Sequence, residues 1–240
     1  MKHSEDLSQI IEAKFAEQTE EFAAGQCFVA LETGRAGRQN YDRFIADLCR
    51  THLKSPHILA FLFSVSPPAA ASNLRHNLLE ELGLDDDGGI SHPAMLLELA
   101  SAAGFDRSAR RELERSAQEE LRRIICDPIM FGTLKEIGLS VLLETIAFEW
   151  MLSRLAGRMG RFLAAHRGLS GEDLRWFAHH SEVDIRHAEE GLEAVADYIV
   201  FYGFDRTDAE EILDVTFREN VFTKRYFGEM ALARETGVFG

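Results

Sequence analysis

The chain has 240 residues, 46% of them hydrophobic, which is enough for one well-buried domain; no linker-like stretch divides it, so a single domain over 1–240 is expected. Its 40 acidic against 26 basic residues leave a formal charge of -14, which excludes nucleic acid or an anionic membrane held by bulk electrostatics and leaves small molecules or proteins as partners. Cys27, Cys49 and Cys126 are odd in number and far apart, so neither a disulfide framework nor a thiolate metal site is indicated.

The first residues lead into a charged amphipathic segment rather than a signal peptide, which makes a reducing cytoplasm the expected compartment. Apolar residues then recur at spacings of three and four nearly throughout. This predicts an all-α chain with helices near 5–23, 39–53, 56–64, 67–82, 92–103, 107–125, 133–166, 171–201 and 207–235. The longest apolar stretch, Ile58 to Val65, is too short to span a bilayer and runs into Pro67 and Pro68. Gly83, Gly104 and Gly203 stand where helices should stop, and the acidic turn from Asp85 to Gly89 reads as a solvated loop. Thr207 with Glu210 has capping-box spacing, and Ser170 with Asp173 resembles it. The runs from Gly104 to Ser108 and from Gly203 to Thr207 share a Gly-Phe-Asp-Arg start and are read as helix-start devices, not a repeat. Amphipathic terminal helices permit a homodimer.

Chemistry concentrates on the helix over 171–201. His180, Asp184 and His187 are four and three residues apart, which places them within roughly 60° of one another on one face. That stripe continues through Gly191, Val195 and Tyr198, with Phe177 at its other end, so it faces a core where ionisable groups need partners. On the helix over 133–166, Glu149 shares a face with Leu142, Ile146, Leu152 and Gly160. Glu144 falls on the other side with Arg154 and Arg158, and is expected in solvent. On the helix over 67–82, Glu81 projects with Ala70, Leu74 and Asn77, whereas Glu80 is turned about 100° away, so Glu81 is the inward candidate. His92 precedes Pro93 at a rigid helix entrance. His179 points off the stripe and is excluded. Asn77, Glu182 and Tyr198 are read first as surface or packing residues, with orientation of a ligand as the alternative role, and Phe148, Trp150, Trp176 and Phe177 as core or pocket walls.

Glu81, His92, Glu149, His180, Asp184 and His187 form the candidate metal set. Three carboxylates with three imidazoles suit iron or manganese, and six groups exceed what one catalytic zinc uses, which points to two ions. A ferritin-like bundle would carry two E-x-x-H motifs, and only Asp184 with His187 approaches one.

Asn77 through Glu80, Glu81 and Gly83, then His92, then Phe148 with Glu149, then His180, Asp184 and His187 followed by Ala188, resemble the heme-oxygenase-like di-metal oxidases and oxygenases, a CADD-like group related in fold to TenA and PqqC. The resemblance implies a bundle of seven to nine helices with a di-iron centre. It also implies dioxygen as co-substrate and a small amine- or carboxylate-bearing metabolite that undergoes N-oxygenation, oxidative decarboxylation or carbon–carbon scission. Two other readings stay open: a metal-independent enzyme of the TenA or PqqC type, and a non-enzymatic helical binding protein.

Overall fold

The structure, a computed structural model, describes residues 2–84, 89–126 and 132–220, with side chains described over 7–84, 89–126, 132–181 and 186–218. The acidic turn at 85–88 and the predicted helical stretch 221–235 lie outside the described residues, as do the side chains of Glu182 and Asp184.

Among the described residues the chain is all-α, with ten helices: α1 (Lys2–Ala24), α2 (Gln26–Glu32), α3 (Arg38–His52), α4 (Ser55–Val65), α5 (Pro68–Glu81), α6 (His92–Ala102), α7 (Arg107–Cys126), α8 (Leu134–Phe162), α9 (Arg175–Tyr202) and α10 (Arg206–Asn220). Nine correspond to the predicted helices, and α2 is additional. It is only seven residues long and follows a break at Gly25, so it offers too few turns for a periodic signal. It is held by its tertiary contacts: Phe28 and Leu31 are buried, and Glu32 takes a forked pair of hydrogen bonds from Arg158 at 2.6 and 2.7 Å. No helix among the described residues is long and apolar enough to cross a membrane.

Helix α8 is the axis of the bundle. Its start is a capping box, in which Thr133 Oγ1 accepts from the Glu136 amide and the Glu136 carboxylate accepts from the Thr133 amide. It runs 29 residues and is buried over most of its circumference, not along one stripe. Helix α9 lies alongside it, and α5 and α6 pack on α9. The buried apolar side chains form one contiguous core cluster to which α1 through α10 all contribute.

The helix starts at α7 and α10 share one device: Asp106 Oδ1 accepts the Ala109 amide at 2.8 Å and Asp205 Oδ1 accepts the Asp208 amide at 2.9 Å. The cap of α10 is thus Asp205, not Thr207. The helix begins at Arg206, which puts Thr207 inside it, and Glu210 pairs with Arg206 at 2.7 Å. At Ser170 the carboxylate of Asp173 accepts from both the amide (2.8 Å) and the hydroxyl (2.6 Å), and a short 3-10 turn leads into α9.

The close approach of α8 to α9 depends on Gly191. A Cβ at that position would stand 2.5 to 2.9 Å from the side-chain carbons of Ile146, closer than packed atoms tolerate. In an open helix interior Gly→Ala would gain about 1 kcal/mol. Here overpacking outweighs that gain, and Gly191→Ala is expected to lower stability by about 1–3 kcal/mol in urea unfolding. A stabilised variant would show that the two helices can separate without cost.

Candidate metal centre

Four helices bring the candidate side chains together. Helix α5 ends on Glu80 and Glu81, and α6 begins on His92, with Pro93 in its first turn. The middle of α8 carries Glu149, while α9 carries His180 and His187. Of the six residues singled out in the sequence, the five whose side chains are described are all buried. Asp184 stands on α9 between the two histidines.

The ligand-capable atoms fall into two groups, each with its atoms within 4.8 Å of one another: Glu81, His92 and His180, all buried, and His76, Glu80 and His187, of which His76 is exposed. Glu149 adjoins both, since the charges of His187, Glu81 and His92 all act on its carboxyl.

In the first group His92 Nδ1 lies 2.9 Å from Glu81 Oε1, and the Ser55 hydroxyl donates to Glu81 Oε2 at 2.5 Å. Burial pushes the Glu81 carboxyl up, but His92, Ser55 and His52 outweigh it and hold the group below the usual carboxylate range. The His180 Nδ1 atom stands 2.7 Å from the Trp176 carbonyl oxygen. A carbonyl can only accept, so Nδ1 carries the proton and Nε2 presents a bare lone pair. Burial, then the neighbouring His92, keeps this ring neutral by pushing its pKa well below 6.5. An imidazole with one nitrogen tied to a backbone carbonyl and the other free is the form in which histidine binds metal.

In the second group Glu80 Oε2 pairs with His187 Nε2 and lies 3.6 Å from His76 Nδ1, while Glu80 Oε1 accepts from Arg186 Nη2 at 2.8 Å. Burial raises the Glu80 carboxyl, yet His187, His76 and Arg186 bring it down to about 2.

Glu149 is the unmatched acid. Asn77 Nδ2 donates to its Oε1 at 2.5 Å, whereas Oε2 is buried without a hydrogen-bond partner among the described residues. Burial pushes its carboxyl up, against the opposing pull of His187 and Asn77.

Three expectations need correction. Glu80 is not turned to solvent but is buried with Glu81, because α5 is covered by α9 on one side and by α4 and α6 on others. Glu144 is half-buried rather than solvated, since α8 is buried over most of its circumference and keeps only isolated exposed positions such as Arg154 and Arg161. Asn77 is no surface residue; it positions a carboxylate. Tyr198 does pack, donating to the Lys135 carbonyl at 3.0 Å. His179, excluded as a ligand, is half-buried beside the centre with its ring 4.7 Å from that of His92. Trp176 and Phe148 do wall the site: Trp176 lies 4.0 Å from the His180 ring, and Phe148 stacks at 3.8 Å on His52, whose pKa burial lowers to about 3.

Sequence reasoning also missed His76 and Ser55. The four-residue spacing of His76 and Glu80 was a usable signal; Ser55 belongs to another helix and left none.

The donor set fits iron. It offers carboxylate oxygens and imidazole nitrogens without a thiolate, as Cys49 is buried near the Leu96 carbonyl with its thiol pushed up to about 12. A bare imidazole nitrogen and a buried carboxylate oxygen without a partner are the atoms that a cation would satisfy. Comparison with protein families agrees: a family model described as iron-containing redox enzyme matches residues 42–214, a span that takes in both donor groups. Comparison with curated proteins gave no match.

Proposed function

The chain belongs to the heme-oxygenase-like family of iron-containing redox enzymes and is an oxidoreductase; from that premise we propose that it holds two iron ions, with manganese as the alternative metal, and uses dioxygen to oxidise a small amine- or carboxylate-bearing metabolite. The proposed ligands are Glu81, His92, Glu149, His180, Asp184 and His187, to which the geometry adds Glu80 and His76. The observation that carries this reading is the pair of donor groups, Glu81 with His92 and His180, and His76 with Glu80 and His187, each of which acts electrostatically on Glu149, whose Oε2 is buried and unmatched among the described residues.

Iron bound there would supply the redox chemistry with dioxygen. The chain's own part is orientation and exclusion of water. Ser55 and Asn77 each hold one oxygen of a carboxylate, and the Trp176 carbonyl fixes the His180 ring. A cavity of about 10 Å³, just room for one water, opens against His187 and Asn77.

Anaerobic loading with Fe(II) is expected to give about two ions per chain, and His187→Ala about one, measured by metal analysis after desalting. A wild type that retains no metal, with an oxidation indifferent to chelator, would assign the chain to metal-independent chemistry instead.

A further inference from the structure

Arg186 is drawn out of the ordinary surface pattern by what its guanidinium touches. Its Nη2 donates to Glu80 Oε1 at 2.8 Å and lies 3.4 Å from His76 Nδ1, and its Nε is 3.9 Å from Glu190 Oε1 on its own helix. The three carboxylates of the centre whose side chains are described are thus held in different ways. Glu81 is held by a hydroxyl and Glu149 by an amide, both neutral, whereas Glu80 is held by a full positive charge. The two oxygens of Glu80 are also divided in labour. Oε2 faces His187 and His76, and Oε1 is taken by Arg186.

Resting on the two-ion reading above, we infer that Arg186 is a positioning residue for the outer metal site. It occupies Glu80 Oε1 and so leaves a single oxygen, Oε2, for an ion shared with His76 and His187. Three features support this. The charge-assisted bond to Oε1 is the strong kind and fixes the rotation of the carboxylate. Glu190 anchors the guanidinium from the next turn of α9, so Arg186 reaches α5 from a set direction. The side chains of His76 and Arg186 are 49% and 52% exposed, while the group of Glu81, His92 and His180 is wholly buried, so the effect is confined to one of the two sites. An arginine that served only to tie α5 to α9 would change stability and treat both metals alike.

The test is a titration of the full chain with Co(II) alone, followed by visible absorption and by metal analysis. Wild type should take up two ions. Arg186→Gln should weaken one of them by about 10–100-fold and leave the other unchanged, the usual consequence of losing an outer partner of a metal ligand. Arg186→Lys, which retains the charge but not the fork, should recover part of the loss. Equal weakening of both ions, no change in either, or a lysine variant as weak as the glutamine variant would overturn the assignment. A wild type that binds no Co(II) would overturn the two-ion reading itself, and this one with it.

Discussion

Glu149→Gln is expected to stabilise the metal-free chain and at the same time weaken its hold on metal. Glu149 is buried, its Oε1 takes one hydrogen bond from Asn77, and its Oε2 has no partner among the described residues. His187 and His92 offset its charge only in part in the absence of metal, because each is already paired, with Glu80 and Glu81 respectively. A buried charge without a counter-charge costs several kcal/mol, and replacing such groups by neutral ones of similar volume commonly recovers part of that cost. Glutamine keeps the acceptor for Asn77 and removes the charge. The metal-free variant should therefore gain about 1–3 kcal/mol, or about 2–12 °C in Tm for a chain of this size. Metal affinity should move the opposite way by about tenfold or more, since a neutral amide is a poor ligand for iron. Thermal unfolding with and without Fe(II) measures both. A metal-free variant less stable than wild type would mean that the charge of Glu149 is already compensated inside the fold.

The second large effect is expected at Trp176. Its side chain is 1% exposed, packs 5.1 Å from Phe177 and 5.7 Å from His52, and lies 4.0 Å from the His180 ring. Trp176→Ala should cost about 3–5 kcal/mol, the sum of lost burial and the void left behind. Against a total stability of about 5–15 kcal/mol that is a large fraction, and it corresponds to a fall in Tm of about 6–20 °C. Trp176→Phe should lose much less. The backbone carbonyl that orients His180 survives both substitutions, so the alanine variant separates packing from orientation. If it unfolds at the wild-type temperature, the wall behind His180 is not load-sharing core.

Glu149 is placed inward by its helical face and Trp176 as an aromatic residue that usually joins a core or pocket wall, and both are buried. The same reasoning failed for Glu80. It assumed that α5 buries one narrow face, whereas its contacts with α9, α4 and α6 widen the buried arc until adjacent acids both meet partners. Glu144 failed for the same reason on α8. His76 was visible as an i,i+4 neighbour of Glu80 but had no meaning until Glu80 turned inward. The additional helix α2 escaped because about two turns carry too little periodicity, and its stability comes from contacts such as that between Glu32 and Arg158.

Local spacing alone therefore determined the all-α class, nine of the ten described helices, and the inward direction of His180, His187 and Glu149. Helical geometry is a property of a few consecutive residues, and a single polar stripe on an apolar face needs no partner to be seen. Only the tertiary structure decided that the donors divide into two groups. It also decided that Glu80 and His76 join them, and that Ser55, Asn77 and Arg186 hold the carboxylates in place. Those relations join α4, α5, α8 and α9 across the bundle. They depend on which helix covers the second face of each, and that is set by packing between segments far apart in the chain.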